Sequence, residues 1–421
     1  MMEHIETVIV GGGQAGLATS YHLTQQGREH VVLEQAAQAA NVWRSERWDS
    51  FTLVTPNWAL KMPGAEYRGA DPYGFMPRAE VVAYFDKYVE RFRLPVECNT
   101  QVLSIEPLDG KGYRIQTSRK TLTAKNVVIA TGFFQKPKIP QFAAGLSPGI
   151  TQLHSSAYRN PESLPDGPVL VVGSAQSGCQ IAEELYQHGR KVFLCTGSAG
   201  RAPRRYRGRD VIEWLNLTGT FDLTPEQLPP GMGKFSGIPH FSGTKGGHTL
   251  NLHQFGRDGV TLVGHLLDAR DDQVFLASDL RENLESADRF EAEAVQMIDG
   301  YIQANGLDAP PEELPRLRDG YEQPEVTKLD LKVYGIKTVI WAMGYTFDYN
   351  LVKLPVHDGD GFPIQTNGVT DYPGLYFAGM PWMPTERSGF LLGVGERAAT
   401  IASQIAGPGT PELKARTVGR Y

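Results

Sequence analysis

The residues best suited to chemistry fall into two sets with one spacing. Gly11, Gly13 and Gly16 follow the apolar run Val8–Val10 in the order G-x-G-x-x-G, and Glu34 closes the next apolar run, Val31–Leu33. In such a turn the first glycine permits the tight bend. The second lets the backbone approach a pyrophosphate, and the third allows helix and strand to pack closely. The helix starting there offers free N–H groups and a positive dipole end to phosphate. A carboxylate about twenty residues on can take ribose hydroxyls. The theme recurs: Val169–Val172 leads into Gly173-Ser174-Ala175-Gln176-Ser177-Gly178, and the strand after it ends Cys195-Thr196-Gly197. One such turn implies one bound dinucleotide; two, about 160 residues apart, imply two.

The two sets differ in one place. Glu34 is an acid, whereas Cys195-Thr196-Gly197 contains none. An acid there would repel a ribose 2′-phosphate, so its absence tilts the second site toward NADPH, with NADH left open. Arginines at 201, 204, 205, 207 and 209 follow. Arginine's planar fork suits phosphate, which makes Arg201 and Arg204 the candidates. The bland reading of the same run is a solvated basic loop. A nucleic-acid patch fits poorly, because net charge is −6 and no nucleic-acid-binding signature accompanies the run. Histidines such as His240, His248 and His253 lack ligand spacing with acids or cysteines, so no metal site is expected.

The elements that must position these groups are legible from pattern. Each glycine turn lies between an apolar strand and a helical stretch, Leu17–Gln26 and Gln180–His188. Further strands are expected at Gln101–Pro107, Gly112–Ser118, Thr121–Ile129, Lys337–Trp341 and Leu375–Ala378, and helices at Pro77–Phe92, Leu276–Leu307 and Leu392–Ile405. Asn41–Asp71 is rich in aromatics and prolines and reads as irregular, a common setting for sites. The sequence therefore predicts an α/β fold with two Rossmann-like dinucleotide-binding domains.

The 421 residues can bury a large core, and 41% hydrophobic with 21% charged residues reads as globular. Cys98, Cys179 and Cys195 form no CxxC, which argues against a dithiol redox enzyme and fits a reducing compartment. No signal peptide and no apolar run of about 18 residues is present, so a cytoplasmic protein without stable membrane insertion is expected.

Together these motifs resemble the class B flavoprotein monooxygenases, in particular the bacterial flavin-containing monooxygenase-like group that includes the plant YUCCA-type enzymes. The resemblance spans nearly the whole chain. It rests on both glycine turns, Ala130-Thr131-Gly132 with Pro137, Phe142…Gly149…His154-Ser155-Ser156…Tyr158, Trp341–Tyr345 and Tyr376-Phe377-Ala378-Gly379. It implies an FAD-binding domain from 1–158 and 338–421. An NAD(P)H-binding domain, 160–337, would be inserted in it and carry a lid-like segment at about 216–258. FAD would be held by Gly11, Gly13, Gln14, Ala15, Gly16, Glu34, Gln35, Trp43, Val102, Ala130, Thr131, Gly132, Gly379, Met380 and Leu391. The coenzyme would be held by Gly173, Ala175, Gln176, Ser177, Gly178, Thr196, Arg201 and Arg204.

The resemblance also implies chemistry. NADPH would reduce FAD, O2 would add to give a C4a-hydroperoxyflavin, and one oxygen would pass to N, S or electron-rich carbon of a small substrate. Baeyer–Villiger oxygenation, or an NAD(P)H oxidase or reductase, are the alternatives. Asn57 in Thr55-Pro56-Asn57-Trp58 would lie near the reactive flavin edge, where an amide donates and accepts without an acidic proton. His154 would belong to an interdomain linker, not act as a base. A homodimer is left open. Four departures stand out: Ala175 where glycine is usual, one extra residue between Gly149 and His154, Met380 where many FAD proteins carry aspartate, and no arginine at Leu194-Cys195-Thr196-Gly197.

Overall fold

The computed structural model describes residues 3–109, 112–228, 233–235 and 239–407. Within the lid-like segment, 229–232 and 236–238 lie outside the described residues.

Apolar, β-branched runs build two sheets. The first has the strand order Val96–Glu97, His30–Leu33, Glu3–Val10, Thr121–Ile129, Tyr113–Thr117, Val102–Pro107. Leu375–Phe377 pairs parallel to the far half of Thr121–Ile129, at Val127–Ile129. Val10 is in register with both Leu33 and Ile129, so Gly11, Glu34 and Ala130 emerge side by side at one edge. The second sheet is parallel throughout, in the order Thr261–Val263, Val192–Cys195, Val169–Val172, Thr338–Trp341, Thr151–His154. Here Val172 is in register with Cys195 and Trp341, so Gly173, Thr196 and Ala342 emerge together. The three positions match those of the first sheet one for one. Ligands of open α/β sheets bind at such strand ends.

Domain limits drawn at 158 and 338 cut across the second sheet. Thr338 is in register with both Val169 and Thr151, so main-chain pairing draws Thr338–Trp341 and Thr151–His154 into that sheet. A four-residue apolar strand carries no sign of which sheet it joins. The helices stand close to expectation, at Gln14–Gln25, Arg78–Phe92, Gln176–Gln187, Leu280–Ala304 and Val394–Ala406. The segment 216–258 is not shapeless. It contains the short hairpin Phe241–Ser242/His248–Thr249 and the helix Leu252–Arg257.

The two sheets are fastened together. Glu184, on the helix Gln176–Gln187, accepts from Ser50 of the aromatic-rich loop at 2.6 Å and from Tyr158 at 2.8 Å. Tyr158 and Trp48 are buried in one apolar cluster with Ile9 of the first sheet and Val171 of the second. Among the described residues no helix is long and apolar enough to cross a membrane.

Candidate functional site

The two glycine turns have one construction. Gly11 has φ +109° and Gly173 φ +105°, a region that favours glycine. A Cβ on Gly11 would sit 2.5 Å from the Ala130 carbonyl oxygen, and one on Gly173 2.6 Å from that of Ala342. A Cβ on Gly16 or Gly178 would collide with the carbonyl oxygen of Gly11 or Gly173, respectively. The middle position behaves differently. Around a Cβ on Gly13 no protein atom lies within 4 Å. Gly13 precedes its helix with φ −82°, ψ −174°, and Ala175 with φ −80°, ψ −169°. Alanine therefore adopts the conformation of the second turn without strain. The open space over Gly13, at a helix N-terminus with uncapped N–H groups, fits a pyrophosphate.

Glu34 is 8% exposed. One carboxylate oxygen accepts from the Gly12 N–H and the other from the Ala36 N–H, both at 2.8 Å, which leaves lone pairs for two ribose hydroxyls. Gln35 beside it is exposed, and Val102 is two residues past Thr100, whose N–H bonds the Glu34 carbonyl. In the second turn the tie runs the other way: the Ser174 hydroxyl accepts from the Gly197 N–H at 3.0 Å. No carboxylate is needed to brace that turn.

The remaining expected flavin contacts gather at the same edge. Gly379, φ +83°, lets the chain pass against Ala15, where a Cβ would collide with the Ala15 methyl. Gln14 donates to the Gly389 carbonyl at 2.7 Å. Gln135 braces Thr131 and Gly132 by bonds of 3.0 and 2.7 Å. Met380 is buried, and its sulfur accepts from Tyr349 at 3.4 Å, so its side chain packs into the sheet. Leu391 is buried, and its carbonyl accepts from the Lys61 N–H. Trp43 is half-buried beside Arg47, whose guanidinium lies 5.4 Å from its ring, 5.6 Å from Phe51 and 5.0 Å from Phe134. Burial pushes the Arg47 pKa down.

Asn57 is 7% exposed. Its amide donates to the Asp71 carbonyl at 3.0 Å, and its Oδ1 is buried without a partner among the described residues. A buried unsatisfied acceptor costs about 1–3 kcal/mol and asks for an explanation. The inserted segment closes over this loop. Ala59, Phe221, Phe241 and Leu392 form one cluster, with Trp58 and Phe390 packed against it. Gln176 clasps the main chain of Phe241, donating to its carbonyl at 2.7 Å and accepting from its N–H at 3.2 Å.

Both candidate arginines are built into the framework. Arg201 is 5% exposed and donates to Asp288 at 2.6 Å and Glu291 at 2.8 Å. Arg204 is 2% exposed. It donates to Asp210 and to the Val54 carbonyl, and its guanidinium lies over the Phe75 and Phe241 rings at 4.3 and 4.9 Å. Their charges are met by carboxylates, so a coenzyme phosphate would have to displace these. His154 bonds Ser156 nearby and, across the fold, the Gly344 carbonyl at 3.0 Å, and packs edge-on to Tyr345.

Known proteins carry the same plan. An oxidoreductase of the CzcO-like kind from Geobacillus kaustophilus is 31% identical over 407 residues, 96% of this chain and 99% of that protein. The chain belongs to the CzcO-like oxidoreductases. Residues 8–216 match the family described as pyridine nucleotide-disulphide oxidoreductase. The probable indole-3-pyruvate monooxygenase YUCCA1 of Arabidopsis thaliana is 29% identical over 190 residues, 44% of this chain and 46% of that protein. A flavin-containing monooxygenase from Stenotrophomonas maltophilia has the same fold, with a TM-score of 0.65 over 96% of this chain and 99% of that chain at 19% identity. This CzcO-like oxidoreductase thus shares sequence with a plant monooxygenase and its fold with a bacterial flavin-containing monooxygenase.

Two features of this oxidoreductase had no clear signal in sequence. One is the His265–Asp279 pair, described below. The other is Glu386, in the turn Glu386–Gly389 between Gly379 and Leu391. Burial alone pushes its carboxyl up to about 7 from 4.5. Its stabilising effect, as the neutral acid, is complete below pH 4.5 and is lost as pH rises through about 7. His240, fully buried against Arg201, has the opposite slope. Burial first, and then the Arg201 charge, lower its pKa from 6.5 to about 4, so stability falls as pH drops through that range. The slopes oppose below pH 6.5, so the difference between variants is the readout. Glu386→Gln should raise the thermal midpoint over wild type above pH 7 and make no difference near pH 4.5. A constant difference across pH would show that Glu386 does not titrate in this range.

Proposed function

We propose that this protein is a monooxygenase that holds FAD on the first turn and uses NADPH on the second to oxygenate a soft nucleophilic centre (N, S or electron-rich carbon) of a small organic substrate. The supporting observation is the pair of matched turns opening at the strand ends, with Asn57 and its unpartnered carbonyl on the loop that the second unit covers. When bound, the flavin supplies hydride acceptance and activation of O2. The chain supplies the rest. Gly13 and the helix N–H groups take the pyrophosphate, and Glu34 the ribose. Asn57 offers Oδ1 and a second amide hydrogen to the reacting edge. The Ala59–Phe221–Phe241–Leu392 cluster keeps water off it.

Dithiol chemistry is a poor fit. Cys179 and Cys195 are buried, burial pushes both thiols up, Cys195 to about 12, and Cys179 donates to the Ser174 carbonyl. A thiol held protonated is a weak nucleophile.

Asn57→Leu tests the reading. The variant should keep its flavin and part of its NADPH-driven flavin reduction. It should release about tenfold more hydrogen peroxide relative to product, the effect of a buried hydrogen bond worth ~1–3 kcal/mol. Product and peroxide are measured per NADPH consumed, with a sulfide and an amine as probe substrates. Unchanged coupling makes Asn57 a turn residue only. A wild type yielding peroxide alone, with every probe, favours an oxidase.

A further inference from the structure

At the position matching Glu34 the second site carries a network instead of an acid. Thr196 Oγ1 donates to the Val263 carbonyl at 2.8 Å and accepts from Asn283 Nδ2 at 3.2 Å. The same Asn283 amide is 3.2 Å from Asp279 Oδ1. Asp279 holds His265 twice: its Oδ1 accepts from the His265 N–H at 2.9 Å, and its Oδ2 meets Nδ1 at 2.6 Å. Asn283 Nδ2 also lies 3.3 Å from Nδ1, but a carboxylate only accepts, so the shorter contact to Asp279 puts the proton on Nδ1 and leaves Nε2 as the ring's free nitrogen. That nitrogen is aimed back at the coenzyme strand: a Cβ on Gly197 would lie 3.3 Å from it. Gly197 is therefore a close-approach glycine beside an exposed imidazole whose orientation is fixed from behind. The arginines nearest in sequence, Arg201 and Arg204, have carboxylate partners, whereas His265 Nε2 has no protein partner among the described residues.

Resting on the assignment of the second turn to a nicotinamide coenzyme, we propose that His265, set by Asp279 and Asn283, reads the 2′ position of the coenzyme's adenosine ribose. The free Nε2 has two states with opposite preferences. The imidazolium donates Nε2–H to a 2′-phosphate, in a charge-assisted bond. The neutral ring presents a lone pair that accepts from a 2′-hydroxyl, much as Glu34 does in the first site. Asp279 is the charged side chain in contact with the ring. Thr196, Ser174 and Asn283, from the other elements packed there, carry no charge.

Binding of two probes tests this without turnover. Adenosine 2′,5′-bisphosphate and adenosine 5′-monophosphate are titrated calorimetrically into the flavin-loaded protein. Wild type should favour the bisphosphate. His265→Ala should weaken the bisphosphate about tenfold and leave the monophosphate less affected. His265→Gln, which keeps a neutral acceptor, should retain the monophosphate and lose the preference. His265 is exposed, so both variants should keep wild-type melting. A His265→Ala protein with the wild-type preference overturns the inference and leaves the coenzyme site standing. Wild type that binds neither probe overturns the coenzyme assignment and the inference with it.

Discussion

Gly13→Ala should yield a folded protein that purifies with little or no flavin. The outcome follows from what surrounds each glycine. At Gly16 an added methyl would run into the Gly11 carbonyl, and at Gly11 it would sit 2.5 Å from the Ala130 oxygen at φ +109°; either change breaks the turn itself. At Gly13 it meets no protein atom within 4 Å, and the backbone at φ −82° is open to any residue, as Ala175 demonstrates at φ −80°. The methyl therefore projects into the space over the helix N-terminus, as the Ala175 methyl does in the second turn, where a coenzyme pyrophosphate would have to sit farther from the helix than one on Gly13. A pyrophosphate pushed off its N–H groups loses at least one charge-assisted bond, ~1.5–3 kcal/mol, or about ten- to a hundredfold in affinity. Flavin absorbance per protein and the dissociation constant of added FAD measure the loss, and melting checks the fold. A variant with full flavin and unchanged affinity would show that the first turn holds no pyrophosphate. Gly16→Ala, by contrast, should fail to accumulate as folded protein.

The contrast among these glycines explains what sequence could show. Their roles depend on neighbours one turn away, or on a strand in fixed register, so G-x-G-x-x-G carries its geometry locally. The strand–turn–helix units and the matched strand ends at Glu34 and Thr196 were legible for that reason. Long-range partners were not. Arg201 reads as a free cation until Asp288 and Glu291, 87 and 90 residues on, are folded against it. Gln176 reads as a turn residue until Phe241, 65 residues away, is clasped. His265 lies past an ordinary apolar strand, and only the pairing of Thr261–Val263 with Val192–Cys195 brings it to Gly197. The strand Thr338–Trp341 could be recognised but not assigned to its sheet, since that depends on hydrogen-bond partners on both sides. Burial raised Glu386 without any charged partner, so spacing held no trace of it.

A buried pair close in sequence, Arg204 with Asp210, makes Asp210→Asn a strongly destabilising conservative change in the inserted unit. Asparagine preserves volume and can still accept from the Ile212 N–H to cap the helix Val211–Leu217, so the change removes charge and little else. It leaves Arg204, 2% exposed between the Phe75 and Phe241 rings, without its counter-ion. Removing one partner of a buried pair costs ~3–5 kcal/mol because the other charge stays buried, whereas replacing both is often near neutral. The thermal midpoint should fall by about 10 °C, at ~2–4 °C per kcal/mol for a unit of this size. Arg204→Met together with Asp210→Asn should recover most of that fall, since no orphan charge remains. Arg204 also holds the Val54 carbonyl of the loop bearing Asn57, so the double variant should still bind flavin but couple oxygen transfer less well. Its affinities for the 2′-phosphorylated and unphosphorylated coenzymes should shift together. If Asp210→Asn melts like wild type, and Arg204→Met selectively weakens NADPH, the guanidinium is free to leave its carboxylate and is the coenzyme's phosphate ligand after all.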